Sequence, residues 1–299
     1  MYKINHNKET NTLEVQNSDN SVFGKIYLNQ GGSLQELTIG GEAVIQDLSP
    51  LDYTDSFASS ILFPFANRIK DGVYSFNNEK FQLEKNQAEE QNALHGFVHN
   101  KIFKVIVKET LGNTAKITLA YNEVRKTKGF PYTYFIQVTY IFQDKTLSLQ
   151  VTVKNTDSKA FPFTIGWHPY FVSGNLSKST LEFDCDKKLI LGDRNITTGA
   201  EDVKNKVALN IENKQLDDCW ILNSDKVQFK TPKYQLNFSS SVKDNFLQAY
   251  TPPRLNTIAI EPTTGVSDSF NNKIGLQALQ PNKEYKITWK ININNIQRY

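Results

Sequence analysis

The sequence predicts an all-β protein, a large antiparallel β-sandwich with few and short helices, on three observations. Aromatic residues reach 12%, with 19 Phe and 13 Tyr among 299 residues, and together with abundant Val, Ile and Thr this favours strands. Alternation of apolar and polar side chains with period two recurs from end to end. No window of a dozen residues carries an apolar stripe at i, i+3, i+4, i+7, so helices are expected only as single turns in loops.

The elements follow in order. VYSF and KFQL flank Asn77 and Asn78, and KVIVKE and KITLAY flank Gly112 and Asn113; each pair reads as a hairpin about a turn signal. In YTYFIQVTYIF, Tyr132, Tyr134, Ile136, Val138, Tyr140 and Phe142 fall on one side, and Thr133, Gln137 and Thr139 on the other. After QDK, TLSLQVTVKN alternates Leu147, Leu149, Val151 and Val153 with Thr146, Ser148, Gln150 and Thr152, completing a long hairpin with one buried face. VQF and YQLNF surround Pro232, and YKITWKINI repeats the pattern through Tyr285, Ile287, Trp289, Ile291 and Ile293. Strands so long and numerous require two large antiparallel sheets stacked face to face, with ligands met at loops or on a concave outer face. With no Pro-rich or Gly/Ser linker and no fixed-period repeat, a single domain over residues 1–299 is expected.

Charge and composition exclude several classes. The net charge of +3 comes from Lys and Arg scattered among Asp and Glu, without the basic stripe of a nucleic-acid binder. The start, MYKINHNKETNTLEV, has no apolar core or cleavage site, and no uncharged apolar run approaches the ~20 residues that span a bilayer. A cytoplasmic protein with no membrane partner is expected. Cys185 and Cys219 are too few for a disulfide framework and lack metal-ligand spacing, so free thiols and no metal are expected.

Four segments place polar residues against their local pattern. In FPFANRIKDGVY, Arg68 follows Asn67 and an apolar run; alone it reads as a surface arginine at a strand edge. NALHGFVHN offers His95 just before Gly96, a residue that lets backbone approach a ligand closely, although a loop histidine capping a turn is the blander reading. GWHPYF sets His168 between Trp167 and Pro169 among aromatics, where both ring nitrogens need partners. In TIAIEPTTG, Ile258 and Ile260 point one way and Ala259 and Glu261 the other. Pro262 is expected to end that strand, leaving the carboxylate at a strand terminus. LDDCW adds Asp217 and Asp218, and FLQAYTPP adds Gln248.

Without a cysteine nucleophile, Gly-rich phosphate loop or G-x-S-x-G elbow, these residue types suit proton transfer on a neutral, hydroxyl-rich molecule. A carboxylate can take a proton from one oxygen while an imidazolium gives one to another, each contributing about 10² to 10⁴-fold. Opening a sugar hemiacetal needs this pair, and Trp167 would supply a platform for the sugar's C–H face.

In these pieces the sequence resembles the aldose 1-epimerases, or galactose mutarotases. The resemblance runs in order through NRIKDGVY, NALHGF, WHPYF, LDDCW, QAYTPP, IAIEP and ITWKINI. It implies a large β-sandwich of the galactose mutarotase type, an open sugar cleft and catalysis without a cofactor. It further implies Glu261 as general base toward the anomeric hydroxyl, His168 as general acid at the ring oxygen and His95 as a second cleft histidine. Arg68 would be a hydroxyl-binding cation with Asn67 beside it. Asp217 would accept sugar hydroxyls, with neighbouring Asp218 blurring that register, and Gln248 would be the binding glutamine.

One departure is that VSGN follows Phe171 where many members carry an Asn-Leu pair, which bears on substrate preference. A related group acts on phosphorylated hexoses, but the motifs here hold no extra basic cluster, so free aldohexoses such as glucose or galactose are expected. Alternatives are a non-catalytic sugar-binding protein with the same cleft, a mutarotase for a modified or less common sugar, and a glycosidase pairing Asp217 with Glu261. Reference pKa values near 4.3 and 6.5 predict an ionised Glu261, a partly protonated His168 and a neutral pH optimum.

Overall fold

The computed structural model describes residues 1–203, 206–243 and 245–296. Among these, the α-helices are two single turns, Tyr53–Ser56 and Ser269–Asn272, and strands carry the architecture. Among the described residues no helix is long and apolar enough to cross a membrane.

The predicted hairpins form in the expected register. Tyr134–Gln143 pairs antiparallel with Thr146–Asn155, placing Val138 opposite Val151 and Tyr140 opposite Leu149, and all four side chains are fully buried. Thr146–Asn155 pairs on its other edge with Glu284–Asn295, Leu149 facing Trp289. Lys104–Leu111, Thr114–Glu123 and Tyr234–Ser240 extend the same sheet. Period-two alternation dictates this arrangement, since one register buries every apolar side chain and a one-residue slip exposes them all.

A meander of five antiparallel strands, from Tyr2–Asn7 to Glu42–Ile45, makes a second sheet. The two sheets pack closely. Tyr140 Oη donates to the Gly32 carbonyl at 2.9 Å, and a Cβ on Gly24 would lie 2.5 Å from the Phe142 ring, so any larger residue there would force that buried ring to shift. Apolar residues of both sheets, among them Val15, Ile26, Phe142, Leu149 and Trp289, join one buried cluster.

Two expectations change. LDDCW and VQF belong to one long strand, Asp217–Lys230. Its residues 226–230 pair with Tyr234–Ser240 and residues 217–221 with Phe246–Tyr250, so this strand carries the hydrogen-bonded ladder from the core wall to the strands that bear the polar motifs. The second change is that Pro262 does not end its strand, which runs Thr257–Thr263. Proline forfeits only its own N–H, and pairing continues through Pro262, opposite Leu247, to Thr263 against Phe246 and Gly166. Glu261 therefore stands inside a central strand, flanked by strands on both edges, and is 3% exposed.

Candidate active site

The central strands bring the polar motifs together. Glu261 sits opposite Gln248 in the ladder, and Gln248 opposite Cys219, two residues from Asp217. On the other edge Tyr170–Val172 pairs with residues 257–259. The backbone of His168 is tied from both sides, its N–H donating to Ser60 O at 3.0 Å and its carbonyl accepting from Ser59 N at 2.9 Å. The result is a cleft of roughly 190 Å³ lined by Asn67, Arg68, His95, His168, Asp217, Gln248 and Glu261, with Phe57, Tyr170 and Tyr250 as aromatic walls. At its floor His168 Nε2 lies 3.3 Å from Glu261 Oε1.

Hydrogen bonds orient the remaining groups. Gln248 Nε2 donates to Asp217 Oδ1 at 2.6 Å. The Asn67 backbone N–H donates to His95 Nδ1 at 3.3 Å, so Nδ1 is an acceptor and Nε2 carries the proton. The His95 ring stands edge-on to His168 and to Phe57, with centroids 5.0 and 4.9 Å away. Phe57, Asn67 and His95 all hold left-handed backbone, at φ 49°, 60° and 60°. Such conformations cost about 1–3 kcal/mol each for ordinary side chains and cluster where geometry is imposed for function.

Gly96 serves a different end from the expected one. A Cβ there would lie 2.2 Å from the Phe63 carbonyl oxygen at φ +70°, so the glycine permits close approach to backbone and thereby holds His95 in place. Among the described residues no group of three or more His, Cys, Asp and Glu side chains could hold a metal ion. Cys185 and Cys219 are free and buried.

Burial sets the protonation of the pair. It pushes the Glu261 carboxyl well above its ordinary range, Asp217 adding to the effect and Arg68 opposing it. It also pulls the His168 imidazole down to about 4, and among the described residues Nδ1 of that buried ring has no hydrogen-bond partner. The expected resting ion pair is thereby corrected: both groups favour their neutral forms, because reference pKa values assume water around a charge and this floor has little. Burial likewise lowers His95 and raises Asp217.

Trp167 is not in the cleft. Its side chain is fully buried and meets Phe171 at a centroid distance of 6.4 Å. Neighbours in an extended chain face opposite sides, so a residue next to His168 that points inward cannot also face the cleft. The aromatic surface comes instead from Phe57, Tyr170 and Tyr250. The same alternation could have found two of these, since Tyr170 lies two residues from His168 and Tyr250 two from Gln248.

The ambiguity at Asp217 and Asp218 is resolved by facing. Asp217 lines the cleft, whereas Asp218 pairs with Lys188 at 2.8 Å. If Asp217 binds ligand, Asp217→Asn is expected to weaken sugar binding by tenfold or more, the worth of one hydrogen bond to a charged group. Asp218→Asn should change it less than twofold; equal effects in titration calorimetry would show that facing does not decide the role.

Fold and site together define a β-sandwich protein with a buried histidine–glutamate pair at the floor of a polar cleft. A family model described as aldose 1-epimerase matches residues 13–292, and the chain belongs to that family. It is 22% identical over 282 residues to the uncharacterized protein YihR of Escherichia coli (strain K12), covering 87% of each chain. Among solved structures, a galactose mutarotase-like protein from Clostridium acetobutylicum superposes with TM-score 0.85 at 18% identity, covering 99% of each chain. Galactose 1-epimerase from Lactobacillus acidophilus NCFM superposes with TM-score 0.81 at 17% identity, again over 99% of each.

Proposed function

We propose that the protein is an aldose 1-epimerase that interconverts the α and β anomers of free aldohexoses such as glucose or galactose. The observation that carries this reading is the contact of 3.3 Å between His168 Nε2 and Glu261 Oε1 at the cleft floor. Glu261 takes the proton of the anomeric hydroxyl and His168 gives a proton to the ring oxygen, which breaks the C1–O5 bond. Rotation about C1–C2 presents the other carbonyl face, and the reverse transfers close the ring. Arg68, Asn67, His95, Asp217 and Gln248 hold the hydroxyls, and family membership supports an isomerase acting on carbohydrate.

The resting pair holds one proton, on the carboxyl, and the working ion pair needs the same proton on His168. Its transfer across the contact changes no net charge and is assisted by sugar hydroxyls that stabilise the carboxylate. Activity therefore requires a singly protonated pair. It falls on the acid side when His168 takes up its own proton at about 4, and on the alkaline side above the raised pKa of Glu261.

Polarimetry on freshly dissolved α-glucose and α-galactose tests the reading. Acceleration over buffer is expected, with an acid limb near 4 and not at the 6.5 of a solvated histidine. A rate equal to buffer across several aldoses would sink the activity, and binding without turnover would point to a sugar-binding protein. Release of the aglycone from a chromogenic glycoside would point to a glycosidase.

A further inference from the structure

We infer that Glu90, a residue outside the family motifs, is a specificity-determining residue that restricts the cleft to uncharged sugars. This inference rests on the sugar cleft proposed above. Arg68 is the one Lys or Arg among the described residues lining that cleft, which also carries Asp55 and Asp217. An anionic sugar would have to find its counter-charge in that guanidinium. Glu90 already occupies it: Glu90 Oε2 accepts from Arg68 Nε at 2.7 Å, with both side chains largely shielded, 26% and 13% exposed.

The carboxylate is placed by design of the surrounding turns. Asn195 Nδ2 donates to Glu90 Oε1 at 3.3 Å. Arg194 Nη1 donates to the Glu90 carbonyl at 3.1 Å and to Asp71 Oδ1 at 2.8 Å, tying the segment that carries Glu90 to two others. Arg194 adopts left-handed backbone at φ 58°, a conformation that a long side chain keeps where the surroundings impose it, and Asn195 follows at φ 56°, where asparagine sits readily.

Two consequences follow for the guanidinium. Asn67 Oδ1 accepts from Arg68 Nη1 at 3.1 Å, so Nε and Nη1 are both directed by the protein, and Nη2, which has no partner among the described residues, offers its N–H groups to a sugar hydroxyl. The charge of Arg68 is also matched by an adjacent carboxylate, so the cleft offers an anion no unmatched positive charge while still offering a neutral sugar a fixed donor.

The test compares galactose with galacturonate, which differ only by a carboxylate at C6, on the full-length protein and on Glu90→Gln and Glu90→Asp. Binding is followed by calorimetry and turnover by polarimetry. The expected wild-type protein favours galactose. Glu90→Gln shifts the galacturonate-to-galactose affinity ratio toward the acid by about tenfold, the size of one unpaired charge in a partly shielded site. Glu90→Asp keeps the discrimination because it keeps the charge, and raises KM for galactose because the shorter side chain lets Arg68 move.

An unchanged ratio in Glu90→Gln overturns the inference, as does a wild-type protein that binds both sugars equally or neither. A loss of affinity that is the same for both sugars marks Glu90 as a structural brace and overturns it too. Binding discrimination without turnover in the wild type would remove the epimerase reading and leave this inference standing.

Discussion

Glu261→Gln is expected to lower the rate of aldose mutarotation by about 10² to 10⁴-fold, the contribution of one general base. The amide matches the carboxyl in shape but cannot take the anomeric proton. Because the loss lies in proton transfer, kcat should fall while KM stays within a few-fold. Thermal stability separates this from damage to the fold. A carboxyl whose folded-state pKa is raised binds more protons folded than unfolded between its two pKa values, so its presence costs stability as pH rises through that window. Glutamine carries no such cost. The variant should melt at or above the wild-type temperature at pH 7, and the difference should vanish below the ordinary carboxylate range. A variant that turns over sugar at the wild-type rate, or that melts well below wild type, would show that Glu261 is a structural residue.

The largest stability effect is expected at Trp167. Trp167→Ala removes a fully buried indole and should cost about 3–5 kcal/mol, the range for truncating a large aromatic side chain in a packed core. Chemical denaturation should show the loss as a lower midpoint. Its effect on activity should come through His168, the next residue, whose backbone position depends on the same strand. Trp167→Phe keeps a ring in the core and should leave KM for galactose within about twofold, although it loses part of the packing. A stacking platform would behave in the opposite way, with KM raised by both substitutions and stability little changed.

Much of this fold is written in local patterns. The hairpin of residues 134–155 and the strand of residues 284–295 pair as their alternation requires, because period two is a property of neighbours in sequence and needs no knowledge of the rest of the chain. The motif pieces likewise name the residues that meet in the cleft: Arg68, His95, His168, Asp217, Gln248 and Glu261. Glu90 gave no such signal. It is one acid in the polar run EKNQAEEQN, and its pairing with Arg68 spans 22 residues.

Where local pattern and tertiary environment disagree, the environment decides. The rule that proline ends a strand placed Glu261 at a strand terminus, yet partner strands on both edges of that strand bury it. The aromatic character of Trp167 suggested a platform, yet the alternation that aims His168 at the cleft turns Trp167 into the core.

The sequence by itself determined which segments are strands, which of their faces are apolar, and which short pieces carry polar residues out of pattern. Only the tertiary structure decided that residues nearly a hundred positions apart, His168 and Glu261, stand 3.3 Å from each other, that both are driven toward their neutral forms, and that Glu90 holds the cleft's arginine. The reason is that alternation acts over two residues, whereas burial, desolvation and charge pairing are set by whatever the folded chain brings near, however distant in sequence.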